Sequence, residues 1–503
     1  MGISRIPEML QNNVVRLPVQ VLPVGRSMIV WFAAIAGFVA LGLRLLPIVV
    51  FSDDAIGIVI VGISFVVLLG LNVGAAITRC AATRVLVYRI GLLTWWFLLV
   101  CEVIFERQND VHSVSQGQFS SQAYGEAIMW MVSFLVLLII SLQQAGYLRE
   151  VFSGSYKWIS LFTMVCVLSI AYTPGKLYAA AWGFKLVLVV LLLQLCASVM
   201  KELNDVVAFL KMTLWAFLWL SIVPVVVAFW NPSTAFEDGR LNADPDLLSP
   251  TAAALMLMSM VLYSIEKKKY YIPTGLIGVV VMFLAFGKAG IIAGALSAFL
   301  FLMLQRKVVR SIGLLLGLGA IGALIVSVTP LADYLQSYQG GSTLTGRTAV
   351  WSAAIAGIKQ SPIIGHGYLA TFFSFERSSD LLEGYTHLHN GFLETAYNTG
   401  LIGLALILVV HFMMVRNIFR SLRMATILRS REPWSERATQ SYLLSSGLLV
   451  MYVNAFFHGL FAASFGGRAM SPYMFFLAVF VLAEALRRLI AELLSRSLAG
   501  SAA

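Results

Sequence analysis

The chain has 503 residues, of which 59% are apolar and only 12% are charged, and its mean hydropathy is +0.87. A soluble domain is nearer half apolar and a quarter charged, so this composition excludes a set of ordinary soluble domains. Apolar runs without polar alternation, such as residues 186–195, also exclude an outer-membrane β-barrel. The net charge of +11 is typical of cations on cytoplasmic loops, and we expect no nucleic-acid partner.

Long apolar runs predict an all-α, polytopic bundle of about 14 transmembrane helices, each of about 20 residues. The predicted spans cover residues 28–50, 55–77, 87–105, 126–146, 157–173, 178–200, 208–230, 251–265, 272–287, 289–304, 311–330, 391–415, 442–463 and 471–487. If the N-terminus is cytoplasmic, 25 of the 35 Lys and Arg residues fall on cytoplasmic connections, as the positive-inside rule requires. Both termini are therefore predicted to be cytoplasmic.

This topology divides the chain into five parts. They are a cytoplasmic N-terminal segment (1–27), the first eleven spans (28–330), a periplasmic loop (331–390), the last three spans (391–490) and a cytoplasmic tail (491–503). Loops as long as residues 331–390 usually carry function. A second outer connection, residues 231–250, is acidic and rich in turn residues. The basic run 416–437 is interpreted as a solvated loop beside anionic lipid headgroups.

The first candidate site residue, Lys288, separates two short apolar runs in the sequence Phe286-Gly287-Lys288-Ala289-Gly290. The glycines predict the tight turn of an outer hairpin. Lys288 could simply mark the membrane boundary. It could also bind a pyrophosphate, provided that the fold brings it to Arg347.

An amphipathic helix at the membrane surface is predicted for residues 344–362, capped by Thr345 or Gly346 and ended by Ser361-Pro362. Its predicted apolar face consists of Val350, Trp351, Ala354, Ile355 and Ile358. Arg347 lies in the first turn, where the helix dipole favours an anion and the guanidinium adds a bidentate partner for phosphate. The alternative is an interfacial arginine that extends its charge to water.

Aromatic residues follow this helix, with His366 and Tyr368 preceding Phe372, Phe373 and Phe375. Such rings often stack on sugar faces. Aromatic residues are also common at membrane interfaces, however, where their rings suit the headgroup region without any ligand. The same outer face receives Arg468, which lies between the last two predicted spans.

The polar sequence His387-Leu388-His389-Asn390 runs directly into a predicted span, with Asn390 as the helix cap. The positive helix end disfavours an imidazolium at His389, and a neutral imidazole suits a general base. An interfacial histidine with a structural hydrogen bond is the alternative, and His387 is a second candidate for the base. A metal at the two histidines would need a third ligand, and neither an HExxH motif nor a DxD-type pair stands nearby, so we expect no metal.

Taken together, these segments resemble the O-antigen ligase and polymerase family of bacterial inner-membrane glycosyltransferases. The resembling pieces, in chain order over about 120 residues, are the Gly287-Lys288 hairpin, Gly346-Arg347 followed by Trp351, Pro362 with Gly365-His366-Gly367-Tyr368, and His389-Asn390 followed by Gly400 and Gly403. Members of the family often have an arginine in a Ser-Arg pair where Lys288 stands. The lysine and the GHGY segment resemble the exopolysaccharide-polymerase branch.

The resemblance implies a GT-C-like fold and the transfer of a glycan, with inversion, from an undecaprenyl-pyrophosphate donor to a sugar hydroxyl at the periplasmic face, without metal or cofactor. It implies that Arg347 binds the pyrophosphate and that His389 takes the acceptor proton. The further substrate-binding candidates are Lys288, His387, His366, Tyr368, Asn390 and Arg468. The partners are the lipid-linked donor and acceptor and the membrane lipids, with proteins for chain-length control and export left open.

Three functions remain in competition. A polymerase joins lipid-linked repeat units, and a ligase moves finished glycan to lipid A core by the same chemistry with another acceptor. A transporter or flippase is less favoured, because such proteins place ionisable groups near the bilayer midplane and show paired repeats. Here Lys185 and His411 are the main candidates within spans, and no repeat is visible.

Overall fold

The computed structural model describes residues 84–105, 130, 133–134, 150–230, 236–237, 240–241, 245–328, 347–374, 388–462 and 465–500. The predicted spans 28–50 and 55–77, nearly all of 126–146, and the candidate residue His387 lie outside the described residues. So do the predicted helix caps Thr345 and Gly346.

The described residues are mostly helical and contain one short antiparallel hairpin. In chain order the elements are α1 (Arg84–Phe105), α2 (Tyr156–Ser169) with a 3₁₀ turn (Ile170–Tyr172), α3 (Lys176–Val199), α4 (Leu203–Trp230), β1 (Phe236–Glu237), β2 (Arg240–Leu241), α5 (Pro245–Glu266), α6 (Tyr271–Ala285), α7 (Lys288–Leu304), α8 (Val308–Val328), α9 (Arg347–Gln360), α10 (Thr371–Ser374), α11 (Gly391–Arg431), α12 (Glu436–Phe461) and α13 (Ser471–Gly500). In the hairpin, Phe236 pairs with Leu241 and Glu237 with Arg240.

The protein is an all-α membrane protein, as its sequence predicts. Within the described part of the chain, five helices are long and apolar enough to cross a membrane, namely α3, α4, α5, α11 and α12, and five apolar helices are shorter. The figure of about 14 spans stays a prediction.

The core is centred on α5, which packs against α4, α6, α7 and α12. Small residues let the backbones approach: a Cβ atom on Gly278 of α6 would lie 2.7 Å from the carbonyl oxygen of Ala252 in α5. A Cβ atom on Gly294 of α7 would lie 3.0 Å from the Cβ of Ala253. Helices packed in a bilayer commonly meet through such small residues, because dispersion contacts replace the hydrophobic driving force there.

The basic run 416–437 is not the loop that its charge suggests, because α11 continues through it to Arg431. Met414, Ile418, Ala425 and Leu428 are all buried, at intervals of three, four or seven residues. This spacing keeps one apolar stripe against the protein. The exposed arginines of the helix are Arg420, Arg423, Arg429 and Arg431. The helix therefore extends well past the predicted span 391–415, and α13 likewise runs to Gly500, into the predicted tail.

The predicted turn before Lys288 is present, but its glycines do not make it. Phe286 adopts the left-handed conformation at the end of α6 (φ 49°), whereas Gly287 is extended and precedes α7. Gly290 serves close packing instead, since a Cβ atom there would lie 2.3 Å from the hydroxyl oxygen of Ser249 in α5.

Helix α11 is broken at Gly400, where φ is 66° and ψ is −167°. Residues 362–367, here called the inserted segment, fill the break. The amides of Leu401 and Ile402 donate to the carbonyls of Pro362 (2.8 Å) and Ile363 (3.3 Å), and the amides of His366 and Gly367 donate to the carbonyls of Tyr397 (2.9 Å) and Asn398 (2.8 Å). Backbone groups that the break frees from the helix are thus hydrogen-bonded, as an apolar environment requires.

Gly400→Ala is expected to destabilise the protein by more than the about 1–3 kcal/mol of backbone strain at such dihedral angles. The added Cβ atom would also lie 2.2 Å from the carbonyl oxygen of Ile363. Thermal unfolding in detergent measures the effect. The matched control is Gly319→Ala in α8, where a Cβ atom meets nothing within 4 Å, and helix propensity alone favours alanine by up to about 1 kcal/mol. Equal midpoints for the two variants would contradict the prediction.

Candidate active site

The structure brings His389 into contact with Asp246, 143 residues earlier in the chain. The Nδ1 atom of His389 lies 2.9 Å from Oδ2 of Asp246, and the two side chains are 18% and 21% exposed. Asp246 occupies the first turn of α5, directly after Pro245, a residue well suited to the first position of a helix. A histidine paired with a carboxylate near the surface is an arrangement able to accept and hold a proton.

The backbone around His389 is fixed from both sides. The amide of Leu388 donates to Oε2 of Glu394 (3.3 Å), and its carbonyl accepts from Nε1 of Trp351 (2.8 Å). Asn390 caps α11 as predicted: its side-chain oxygen accepts the amides of Phe392 and Leu393, and its Nδ2 donates to the carbonyl of Leu460. Between these contacts His389 has φ 50°.

A left-handed backbone conformation at a residue with a side chain costs about 1–2 kcal/mol. Such conformations persist where neighbouring contacts impose them, and they concentrate at functional sites. The bonds to Leu388 and the cap at Asn390 impose it here. The strain therefore supports a functional reading of His389 over an interfacial histidine.

Arg347 begins α9, and its position relative to His389 follows from Trp351. Trp351 lies one helical turn later, and side chains four residues apart share a helix face. Since the indole of Trp351 bonds to Leu388, the first turn of α9 lies beside the residue that precedes His389. Arg347 is partly exposed.

The buried face of α9 differs from the predicted one. Val350, Ala354 and Gly357 are buried, whereas Ile355 is 45% exposed. The helix packs on α11 instead of only lying on a lipid surface. The physical reason is the fit between Gly357 and Tyr397. The ring of Tyr397 lies directly on the glycine, since a Cβ atom there would be only 2.4 Å from the ring.

Lys288 begins α7, next to the start of α5. The hydroxyl of Ser249 donates to the carbonyl of Gly287 (3.0 Å), and Ser249 lies one turn after Asp246 on α5. Lys288 is therefore adjacent to the helix turn that carries Asp246, and its side chain is exposed. The starts of α5, α7, α9 and α11 thus gather Asp246, Lys288, Arg347 and His389 at one end of the bundle, where their positive dipole ends also favour an anion.

His366 and Tyr368, proposed from the sequence as sugar contacts, are held by protein groups. His366 belongs to the inserted segment; its Nε2 lies 2.9 Å from the carbonyl of Gly357, and its ring stacks on Tyr397 at 4.5 Å. Tyr368 is fully buried and donates its hydroxyl to the carbonyl of Gly467 (2.9 Å). These contacts give both residues a structural role, and a sugar contact at either one stays a prediction.

Arg468 lies among aromatic rings. Its guanidinium carbon is 5.8 Å from the ring centre of Trp182 and 5.6 Å from that of Phe372, and Phe372 stacks on Tyr178 at 4.6 Å. Cations at such distances over aromatic faces are stabilised electrostatically. Phe372, one of the aromatic residues noted in the sequence, therefore helps to position the Arg468 cation. A direct sugar contact at Arg468 stays a prediction.

Asp246 is one of two residues here that were not predicted from the sequence. Its only sequence signal is its position at the end of the acidic connection 231–250, directly before an apolar run. Glu394 was missed as well; it is buried, accepts the Leu388 amide and receives the hydroxyl of Thr371. Among the residues that the structure describes, no three His, Cys, Asp or Glu side chains are grouped as a metal site would need.

The pair can direct a proton to a defined atom. When Nδ1 of His389 donates to the carboxylate, the lone pair of the neutral imidazole is on Nε2. The dipole of α11 disfavours a charged ring, but the full negative charge of Asp246 in direct contact opposes it and is the larger effect. The carboxylate therefore stabilises the imidazolium that forms when Nε2 accepts a proton.

Residues 273–408 match the protein family described as "O-Antigen ligase". The matched range contains Lys288, Arg347 and His389. The chain is also 34% identical over 153 aligned residues to "Exopolysaccharide production protein ExoQ" of Rhizobium meliloti (strain 1021), a match that covers 24% of this chain. It covers 35% of that relative, so the chain spans about a third of the length of the curated relative it matches. These matches confirm the predicted resemblance to the O-antigen ligase and polymerase family.

Proposed function

We propose that this chain, an O-antigen ligase- and polymerase-like membrane enzyme, polymerises oligosaccharide repeat units carried on undecaprenyl pyrophosphate. The observation that carries the proposal is the contact between His389 and Asp246 at 2.9 Å, next to helix starts that bear Arg347 and Lys288. The proposed setting is the periplasmic face of a bacterial inner membrane, with both termini in the cytoplasm and the loop 331–390 outside.

The proposed reaction is a single displacement. Nε2 of His389 takes the proton of the acceptor hydroxyl while its oxygen bonds to the anomeric carbon of the donor sugar. The bond from that carbon to the pyrophosphate oxygen breaks, and undecaprenyl pyrophosphate leaves with the electron pair. Asp246 stabilises the imidazolium, and the proton then passes to solvent. A positioned general base contributes typically 10²–10⁴-fold to such a step.

The second part of the proposal is that cations stabilise the leaving group. Negative charge grows on the leaving pyrophosphate, and fixed cations facing that charge act in a partly desolvated site without reorganising. Arg347 can bind two phosphate oxygens through its planar fork, whereas Lys288 offers a point charge. The proposed site needs no metal, because these two side chains and the helix starts supply the positive charge.

A reconstituted reaction tests the function. The purified protein is placed in liposomes with a defined undecaprenyl-pyrophosphate-linked repeat unit, and the products are sized. A ladder of multiples of the unit is expected, and the similarity to an exopolysaccharide production protein favours this outcome. Product only after lipid A core is added would indicate a ligase. Movement of the lipid-linked unit across the bilayer without any new glycosidic bond would overturn the proposal.

Lys288→Ala is expected to lower the rate of polymer formation about 10-fold. The variant removes one cation from an exposed position, and Arg347 remains. A charge-assisted hydrogen bond of the kind that is lost contributes about 1.5–3 kcal/mol. Lys288→Arg is expected to retain activity. Initial rates in the liposome assay measure both variants. A wild-type rate for Lys288→Ala would make Lys288 a residue of the membrane boundary.

A further inference from the structure

A cavity of about 650 Å³ lies at the opposite end of the helices that carry the candidate active site. Its walls come from the end of α5, the end of α7 with the residues that follow it, the end of α11 and the start of α12. The charged residues that line it are Lys267, Arg306, Lys307, Arg429 and Glu436. Four cations thus face one carboxylate around an open volume large enough for a headgroup or a small anion.

Three of the cations contact neutral groups. Lys267 donates to the carbonyl of Ser264 (2.6 Å), Lys307 donates to the side-chain oxygen of Gln305, and the guanidinium of Arg429 lies 5.1 Å from the ring centre of Tyr442. Partial burial and the neighbouring charges of Lys267 and Arg310 lower the pKa of Lys307 below its ordinary value. The cations around the cavity therefore repel one another, and an anion between them would relieve that repulsion.

The fold fixes the depth of the cavity relative to the candidate active site. Helix α7 runs from Lys288 to Leu304 and is about 26 Å long, and α5 is about 33 Å long, at about 1.5 Å per residue. These lengths match a hydrocarbon core about 30 Å thick. Asp246 and Lys288 are thus separated from the cavity by about the thickness of a membrane core.

The surroundings of the cavity suit a ligand that has both a charge and apolar chains. Met303 lies one turn before Arg306 and is 38% exposed, Val309 lies two residues after Lys307 and is 84% exposed, and Ile427 near Arg429 is 38% exposed. Exposed apolar side chains on a spanning helix face lipid tails. Basic pockets between helices at a membrane face bind the headgroups of anionic lipids.

We propose that this cavity binds a phosphate-bearing anion at the membrane face opposite the pair formed by His389 and Asp246. The phosphate can belong to an anionic phospholipid or to a soluble ligand. The site is separate from the proposed transfer reaction, so that it stands or falls independently of the polymerase assignment.

Native mass spectrometry of the purified protein tests the site, with phosphatidylglycerol as the anionic probe and phosphatidylcholine as the zwitterionic reference. Each cation near a headgroup contributes about 1 kcal/mol, or about fivefold in affinity. The double variant Arg306→Gln/Arg429→Gln is therefore expected to bind phosphatidylglycerol about 25-fold more weakly. The control Arg420→Gln/Arg423→Gln removes two exposed arginines outside the cavity and should keep the affinity.

Glu436→Gln tests the site through a gain of affinity instead of a loss. It removes the carboxylate of the cavity and is expected to tighten phosphatidylglycerol binding about fivefold. Competition by millimolar inorganic phosphate would identify a soluble phosphate as the ligand, and binding unaffected by phosphate would identify the lipid headgroup. Equal loss in the double variant and its control, or no preference for either phosphate probe over phosphatidylcholine, would overturn the proposal.

Discussion

Replacing His389 with alanine is expected to abolish polymer formation while the protein still reaches the membrane. The loss should be at least 10²–10⁴-fold, the usual contribution of a general base. Polymer yield in a strain that lacks the native copy, together with the amount of variant in the membrane fraction, measures the effect. His389→Asn is the conservative companion, because asparagine tolerates the left-handed backbone that His389 adopts (φ 50°).

The role of Asp246 makes this prediction specific. Asp246→Asn removes the negative charge that faces Nδ1 of His389 and permits the wrong tautomer of the ring, so we expect a loss of about 10²-fold or more. If Asp246 acts through His389, adding Asp246→Asn to His389→Ala should lower the residual activity no further. Near-normal polymer from either His389 variant would remove His389 as the base.

Arg347→Ala is the second variant with a large expected effect, a loss of polymer of about 10²–10³-fold. The guanidinium is the group in this site that can bind two pyrophosphate oxygens at once, and removing one fixed donor from a developing negative charge commonly has this cost. Arg347→Lys should recover part of the rate, because the charge remains without the fork. Initial rates with the lipid-linked unit measure both variants.

Lys359→Ala is the matched control for Arg347. Lys359 is an exposed cation in the last turn of the same helix, away from the bond between Trp351 and Leu388. Its loss should leave the rate and the amount of protein unchanged. Equal rates for the Arg347 and Lys359 alanine variants would contradict a pyrophosphate role and favour an interfacial arginine.

The local features of this fold could be predicted because they depend on neighbouring residues. Asn390 is recognisable as a cap because a short polar side chain precedes an apolar run, and the hairpin at Lys288 is recognisable because a charge separates two such runs. The extension of α11 past residue 415 was missed for a physical reason. Hydropathy ends at the arginines, whereas the buried stripe of Ile418, Ala425 and Leu428 continues.

The partner of His389 could not be predicted in the same way. Asp246 and His389 are joined by a contact over 143 residues, and such a contact depends on how α5 and α11 pack. The role of Trp351 illustrates the same limit: its position on α9 is readable from the sequence, but its hydrogen bond to Leu388 is not. Likewise the GHGY sequence is recognisable as a motif, while its insertion into the break at Gly400 follows only from the fold.

The inserted segment has a consequence for how a substrate can enter. Helix α9 is anchored twice. Near its start, the indole of Trp351 donates to the carbonyl of Leu388. Beyond its end, the carbonyls of Pro362 and Ile363 accept amides of α11 at the break. An element tied down at both ends cannot swing open as a lid unless hydrogen bonds of α11 break, and a gating hinge needs residues that are free to change their dihedral angles. In the proposed reaction, Arg347 therefore belongs to a preformed part of the site and is in position before the acceptor arrives.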